Sequence, residues 1–410
     1  MRCARSYRRL VLTQFLTVYN DNLFKQSVLL LAIAMQGEQG TGQSTAQALF
    51  SLPFLLFAVV AGDCADRFPK RNVILACKWA EVGVMLLAAV AFFSGNLWAV
   101  FAVVFLMGTQ SAFLGPAKYG SLPEMASVPE LPRANGLFQA TVLLGILCGT
   151  GSAGHLGQES LWILGLAMAI LAVLGAGVAA TIRILPAADP TKRIHFDPVR
   201  RLYRGLKDAR RFPGLHPALW GHAVFWFCGS LMLLAWNEFL AQDADGVARL
   251  AVSPGTWSMG LAGLSLFMAA GAIVAGLGLH ARIPRWMPIF GALGMGGGFL
   301  VAGLLDPAPL PLFLAIGSAS FFSGFYLIPL RSLMQTLPPQ TRIGEVLGTG
   351  QMLDFLLIFL AALGRPPLAR LGIGPQELLL LLSAVLGFTA FGLSKSLPQT
   401  LDLTARRSEG

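Results

Sequence analysis

The feature that most constrains this chain is a succession of continuous apolar runs, each near the ~20 residues that a helix needs to cross a bilayer. They predict helices over 9–35, 44–63, 72–94, 97–117, 133–154, 160–183, 215–241, 255–279, 286–305, 309–334, 343–363 and 374–395. The runs are unbroken rather than alternating with the ~10-residue segments of an outer-membrane barrel, so helices are the only plausible spanners. Only 12% of the 410 residues are charged and the mean hydropathy is +0.67, where soluble domains carry roughly 25% charged residues. The chain reads as an all-α membrane protein.

A net charge of +10 would suggest nucleic acid in a soluble protein. Here the placement of the charges argues for topology instead, with no nucleic-acid partner. Arg183, Lys192, Arg193, Arg200, Arg201, Arg204, Lys207, Arg210 and Arg211 crowd in or beside the one long connection, 184–214. Most other Lys and Arg fall in 63–71, 118–133, 280–285, 331–342 and the two termini. The opposite loops hold Arg249, Arg365 and Arg370 among Glu38, Glu159, Asp243, Asp245 and Asp306. Lys and Arg are retained on the inner side, so both termini are expected in the cytoplasm of a bacterial inner membrane. The basic linker also suits contact with anionic headgroups. The N-terminal MRCARSYRRL imitates a signal-peptide start, but the following run is long, broken by Asn20-Asp21-Asn22 and without an A-x-A site, so a retained helix is expected. The five cysteines are scattered singly and read as apolar fillers.

An internal repeat sets the organisation. Residues 62–71, GDCADRFPKR, recur in degraded form as 276–285, GLGLHARIPR, and 116–123, PAKYGSLP, are echoed by 329–338, PLRSLMQTLP. Asn135–Gln139 pairs in the same way with Leu347–Gln351, and Tyr19-Asn20-Asp21 with Trp236-Asn237-Glu238. The order is the same in each half. It predicts two pseudo-symmetric six-helix bundles: 1–183, a basic linker 184–214, 215–396 and a cytoplasmic tail 397–410. Duplicated halves of this kind place a site at their interface and work by alternating access.

Within this frame a few polar residues stand out. Gly62-x-x-x-Asp66-Arg67-x-x-Lys70-Arg71 lies between helices two and three, where a small residue allows close approach and the charges can hold one end shut. Asp21 lies about 11 residues into helix one, ~17 Å deep at ~1.5 Å per residue. An ionisable group there should meet a partner or a wet cavity. Lys25 follows at i+4 on the same face, so the two form either a self-satisfied pair or, with Asn20 and Asn22, a site for a polar headgroup. Asp354 should sit mid-depth in helix eleven, and Glu238 near the outer rim of helix seven. Lys78 and Glu81 read as a local pair with a snorkelling lysine, and His222 as packed. No catalytic set, metal cluster or cofactor cradle is visible, so no enzyme and no cofactor is expected. The 46 glycines suit close helix packing.

The Gly62–Arg71 segment resembles the signature loop of the major facilitator superfamily, implying that fold with its twelve transmembrane helices. Three further segments narrow it. Gln14-Phe15-Leu16-x-x-x-Asn20-Asp21-Asn22-Leu23-Phe24-Lys25, Pro116-Ala117-Lys118-Tyr119-Gly120 and Ala134-Asn135-Gly136-Leu137 resemble the bacterial lysophospholipid transporter family. The resemblance implies a flippase moving lysophosphatidylethanolamine-type lipids from the outer to the inner leaflet. Re-acylation would fall to an acyltransferase–acyl carrier protein synthetase, here a separate protein since the sequence ends at Gly410. It also implies Asp21 and Asp354 as cavity acids, and Lys118 as a basic residue at a cytoplasmic gate formed with Gly62, Asp66, Arg67, Lys70 and Arg71. Family members carry an arginine in helix seven; this chain has Leu231-Met232-Leu233-Leu234 there, which removes that headgroup partner. A proton-coupled exporter of drugs or metabolites on the same fold is the alternative, with Asp21 or Asp354 as the protonated group.

Overall fold

The computed structural model describes residues 4–36, 42–156, 161–194, 196–239, 254–279 and 282–402. Glu38, Glu159, Asp243, Asp245 and Arg249, used above to argue sidedness, lie outside them, as does the side chain of Asn237. The described chain is almost wholly helical and divides into two compact units.

The first unit comprises Met1–Ser127, Leu144–Ala209 and Pro338–Met352. It holds α1 (Ala4–Gln36), α2 (Gly42–Arg67), α3 (Lys70–Ser94), α4 (Leu97–Met125), the second half of α5 (Leu131–Leu156), α6 (Leu161–Ala180), α7 (Pro198–Ala209) and the first turns of α12 (Ile343–Arg370). Turn chemistry marks its tightest corner. Gly95 ends α3 in the left-handed region at φ 61°, which costs glycine nothing. Asn96 then caps α4, its side-chain oxygen accepting from the amides of Trp98 and Ala99. Helices α2 and α4, α3 and α6, α3 and α4, and α1 and α6 pack against one another. With lipid on the outside, packing rather than hydrophobicity holds such helices together. Gly108 of α4, for example, lies directly against the Phe50 carbonyl of α2.

The second unit comprises Val128–Leu143, Arg210–Leu337 and Leu353–Gly410. It holds the start of α5, then α8 (Leu215–Glu238), α9 (Pro254–Gly278), α10 (Trp286–Leu304), α11 (Pro309–Thr336), the rest of α12, and α13 (Pro375–Ser396). Here α10 packs on α11 and α13, α11 on α9, and α8 on both α11 and α13. Two short antiparallel strands, β1 (Arg282–Pro284) and β2 (Thr400–Asp402), tie the end of the chain to the segment after α9.

Ten helices among the described residues are long and apolar enough to cross a membrane. The long helices α1 and α9 stand outside that count; α1 carries Gln14, Asn20, Asp21, Asn22 and Lys25 along its length. Four boundaries differ from expectation by four residues or more: α1 begins at Ala4, α12 runs to Arg370 with Pro366 and Pro367 inside it, and α2 and α4 end late. Helix α2 continues through Arg67, so Gly62–Arg67 is helix rather than loop, and α4 runs to Met125 with Pro116 and Pro123 inside it. Proline and glycine read as breakers in the sequence, but packed membrane helices re-satisfy the freed backbone groups and continue through them. The linker also contains α7, whose Leu202 packs against Ala58, Val59 and Met352.

Candidate functional site

In the first unit the residues of α1 singled out by sequence lie in a buried polar cluster. Glu81 of α3 is its hub. Its carboxylate accepts from Lys78 Nζ at 2.5 Å, from Asn20 Nδ2 at 2.8 Å and from Gln110 Nε2 at 3.1 Å. Lys78 also donates to Thr17 Oγ1 at 3.1 Å. The snorkelling expected of Lys78 does not occur: lysine and glutamate are both fully buried. Buried charges need partners of this density, since each left unpaired in lipid costs several kcal/mol.

Asp21 sits beside this cluster but is not absorbed by it. Its Oδ1 is buried with no hydrogen-bond partner, as is Oδ1 of Asn20. Lys25 is exposed, and its ammonium lies 3.8 Å from the centre of the Phe50 ring rather than in an ion pair with Asp21. Asn22 spends its amide donor on Val18 O of its own helix, at 2.8 Å. Lys118 of α4 lies over Tyr119 at 5.5 Å and within electrostatic reach of Asp21.

A second constellation surrounds the end of α2, where α12 begins. Gly62 lies against the Gly344 carbonyl, and Gly348 lies 3.0 Å from Gly62 Cα measured from where a Cβ would stand. Without side chains there, the two helices meet backbone to backbone. Asp66 then caps α12 from a neighbouring helix: its carboxylate accepts from the amides of Gly344 at 2.6 Å and Glu345 at 3.0 Å. A negative charge at a helix N-terminus is favoured by the orphan N–H groups and the helix dipole. Lys192 of the linker joins Asp66 at 2.7 Å to Glu345 at 2.9 Å. Burial by itself disfavours the Lys192 charge, but the Asp66 and Glu345 carboxylates hold its pKa above the ordinary lysine value. Its placement is local, because Asp189 N donates to Asp66 O at 2.9 Å and Thr191 folds back on the Asp189 carboxylate. Arg201 of α7 pairs with Asp63, and Arg342 bridges Asp208 and Glu345.

The motif residues therefore divide. Gly62 and Asp66 meet α12. Lys70 is buried against Glu124 at 2.5 Å, Arg71 donates to Ala180 O at 2.6 Å, and Arg67 lies over the Phe68 ring at 5.6 Å.

In the second unit Asp354 of α12 is buried with Oδ1 2.8 Å from Nδ1 of His222 on α8. The histidine's Nε2 is buried without a partner. Glu238, at the end of α8, is held by both guanidinium arms of Arg365, with Nε donating at 2.7 Å. An arginine thus does face α8, supplied from α12 rather than from α8 itself.

The chain matches the model of the Major Facilitator Superfamily over residues 10–362. It belongs to that superfamily. Its fold is shared with the human organic anion transporter MFSD10 (TM-score 0.77, 16% identity, covering 94% of this chain and 99% of that one). It is shared also with the E. coli fucose:proton symporter FucP (TM-score 0.75, 12% identity, 95% and 97%). In sequence the chain is similar to lysophospholipid transporter LplT of Cronobacter sakazakii, 28% identical across 81% of this chain and 80% of that protein. LplT of Enterobacter sp. is also 28% identical, across 88% and 90%. This major facilitator protein is a transporter with several membrane spans, not an enzyme.

Sequence reasoning missed the partners rather than the centres. Lys192 and Arg201 were visible only as two basic residues among many in the linker. Glu345 lay in a helix start with nothing to mark it. In the sequence His222 stands as a packed helix residue, and its pairing with Asp354 joins residues more than a hundred positions apart.

Proposed function

We propose that this transporter flips lysophospholipids of the lysophosphatidylethanolamine type from the outer to the inner leaflet of the bacterial inner membrane by alternating access. Both termini would be cytoplasmic, and a separate acyltransferase–acyl carrier protein synthetase would re-acylate the product. The observation that carries the reading is the state of Asp21 and Lys25. An acid with a buried oxygen that accepts no hydrogen bond and an ammonium resting on an aromatic ring are two opposite charges near each other without a salt bridge among the described residues. A zwitterionic headgroup supplies the complement of each: ammonium for Asp21, phosphate for Lys25 or Lys118. Asn20, Asn22 and Asp354 complete the proposed substrate residues, and the similarity to LplT proteins supports the substrate class. Gly62, Asp66, Arg67, Lys70, Arg71 and Lys118 form the proposed cytoplasmic gate, with Glu238 at the outer rim.

The test is uptake of labelled lysophosphatidylethanolamine by spheroplasts, with and without an uncoupler. Uptake that persists under the uncoupler and falls at least tenfold in Asp21→Asn, the loss of about 1.4 kcal/mol, is expected. Full uptake by Asp21→Asn would sink the headgroup assignment. One observation favours a second reading, proton-coupled export: the buried His222–Asp354 pair has the form of a proton-carrying dyad. Abolition of transport by the uncoupler would favour it.

A further inference from the structure

On the first unit, α3 and α4 with the end of α2 leave a groove of about 540 Å³, which reaches Gln110, one of the partners of Glu81. Small side chains make it. Ala76 and Ala80, one turn apart on α3, form one wall; Leu106 and Phe113 of α4 form the other; Val84 closes the far end and Asn72 stands at the mouth. Ala76, Ala80 and Leu106 are exposed, so the groove opens to the lipid that surrounds a membrane-spanning helix. From Asn72 to Val84 it runs ~18 Å at ~1.5 Å per residue, a little over half of the ~30 Å hydrocarbon core. That is the depth of one leaflet.

The mouth is cationic. Arg67 and Arg71 flank it on the turn between α2 and α3, next to Phe68 and Asn72 of the groove wall. Among the described residues neither guanidinium meets a carboxylate. Arg67 lies over Phe68, and Arg71 reaches only the Asn72 amide oxygen at 3.3 Å and the Ala180 carbonyl, leaving a buried Nε with no partner. Lys70, between them in sequence, is neutralised by Glu124. Two unneutralised arginines above an apolar slot of one leaflet's depth complement a phosphate joined to an acyl chain.

We propose that this groove binds one acyl chain of an anionic phospholipid of the surrounding leaflet, with the phosphate held by Arg67 and Arg71. The second chain stays in the bilayer through the open side. The site is distinct from the proposed substrate residues of α1 and does not depend on what the protein transports. It gives Arg67 and Arg71, which do not join the α2–α12 crossing, a ligand of their own.

The test is native mass spectrometry of the purified full chain, titrated with phosphatidylglycerol or phosphatidylcholine of matched chains. The wild type should retain one phosphatidylglycerol at least tenfold more tightly than phosphatidylcholine, as charge-assisted bonds to a bidentate pair would give. Ala80→Trp should fill the slot and remove that retained lipid. Ala76→Trp probes the same wall one turn away should the first variant fold poorly, and melting in lipid-free detergent checks both. Arg67→Gln with Arg71→Gln should reduce phosphatidylglycerol binding to the phosphatidylcholine level. Equal retention of the two lipids by the wild type, or unchanged phosphatidylglycerol retention in folded Ala80→Trp or Ala76→Trp, would overturn the proposal.

Discussion

The start of α12 in the first unit and the start of α5 in the second are built on the same backbone contact and differently charged. Gly348 lies against the Ala58 carbonyl and Gly62 Cα; Gly136 lies against the Ala272 carbonyl and Gly276 Cα. The residues correspond across the internal repeat. Around α12 the crossing carries Asp66, Asp63, Glu345, Lys192, Arg201 and Arg342. Around α5, Asn135 Nδ2 donates to Ser332 Oγ at 3.1 Å and to Gln335 Oε1 at 2.5 Å. In the sequence Asp63 is matched by Leu277 and Asp66 by His280. The comparison separates two tasks. Glycine sets how closely the helices cross in both copies, and the acids of α2, which the repeat does not keep, tie the first crossing to Lys192 and Arg201.

The largest effect is expected where the shared feature is broken. Gly62→Leu and Gly276→Leu should each destabilise by at least the ~1–3 kcal/mol of overpacking, because the new atoms meet backbone that cannot give. Thermal melting checks this, and a tolerated Gly276→Leu would break the equivalence of the two crossings. Next comes Asp66→Asn, which weakens hydrogen bonds to a charged acceptor worth about 1.5–3 kcal/mol and leaves Lys192 to Glu345 and the more distant Asp63. Amide exchange at Gly344 and Glu345 should accelerate while that at the start of α5 stays slow, and transport should fall. Unchanged exchange at both amides, with unchanged transport, would remove the gate role. Asn135→Ala, at the start of α5, should cost about 1 kcal/mol and leave Gly344 protection intact. The smallest effect belongs to Asp208→Asn. Its bond to Arg342 is about a third exposed on each side, so less than ~1 kcal/mol is at stake, and salt should erase the difference.

What the sequence made legible follows from range. The spans, the repeat and the depth of Asp21 depend on local composition and periodicity, and the structure has the long helices in the expected order. The sequence places helix ends too early at Arg67, Met125 and Arg370 because glycine and proline lose their breaking force when neighbouring helices supply the missing contacts. The charges of α2 were visible, but not their counter-charges. Nothing local distinguishes Lys192 from Lys207 or Glu345 from Glu377; only the meeting of α2, the linker and α12 selects them. The spacing of Asp21 and Lys25 fits a pair and a site alike. Phe50, on another helix, draws the lysine away, and a spacing of four residues cannot reveal that.

The linker has one more consequence. Residues up to Ala209 belong to the first unit, and they bring Lys192 and Arg201 to Asp66 and Asp63. If the protein were made as two co-expressed fragments, the place of the cut would decide whether they reassemble into a working whole. Severed after Ala209, the N-terminal fragment carries its own counter-ions. Severed after Arg183, it would present two bare acids to a partner that must first deliver a tether.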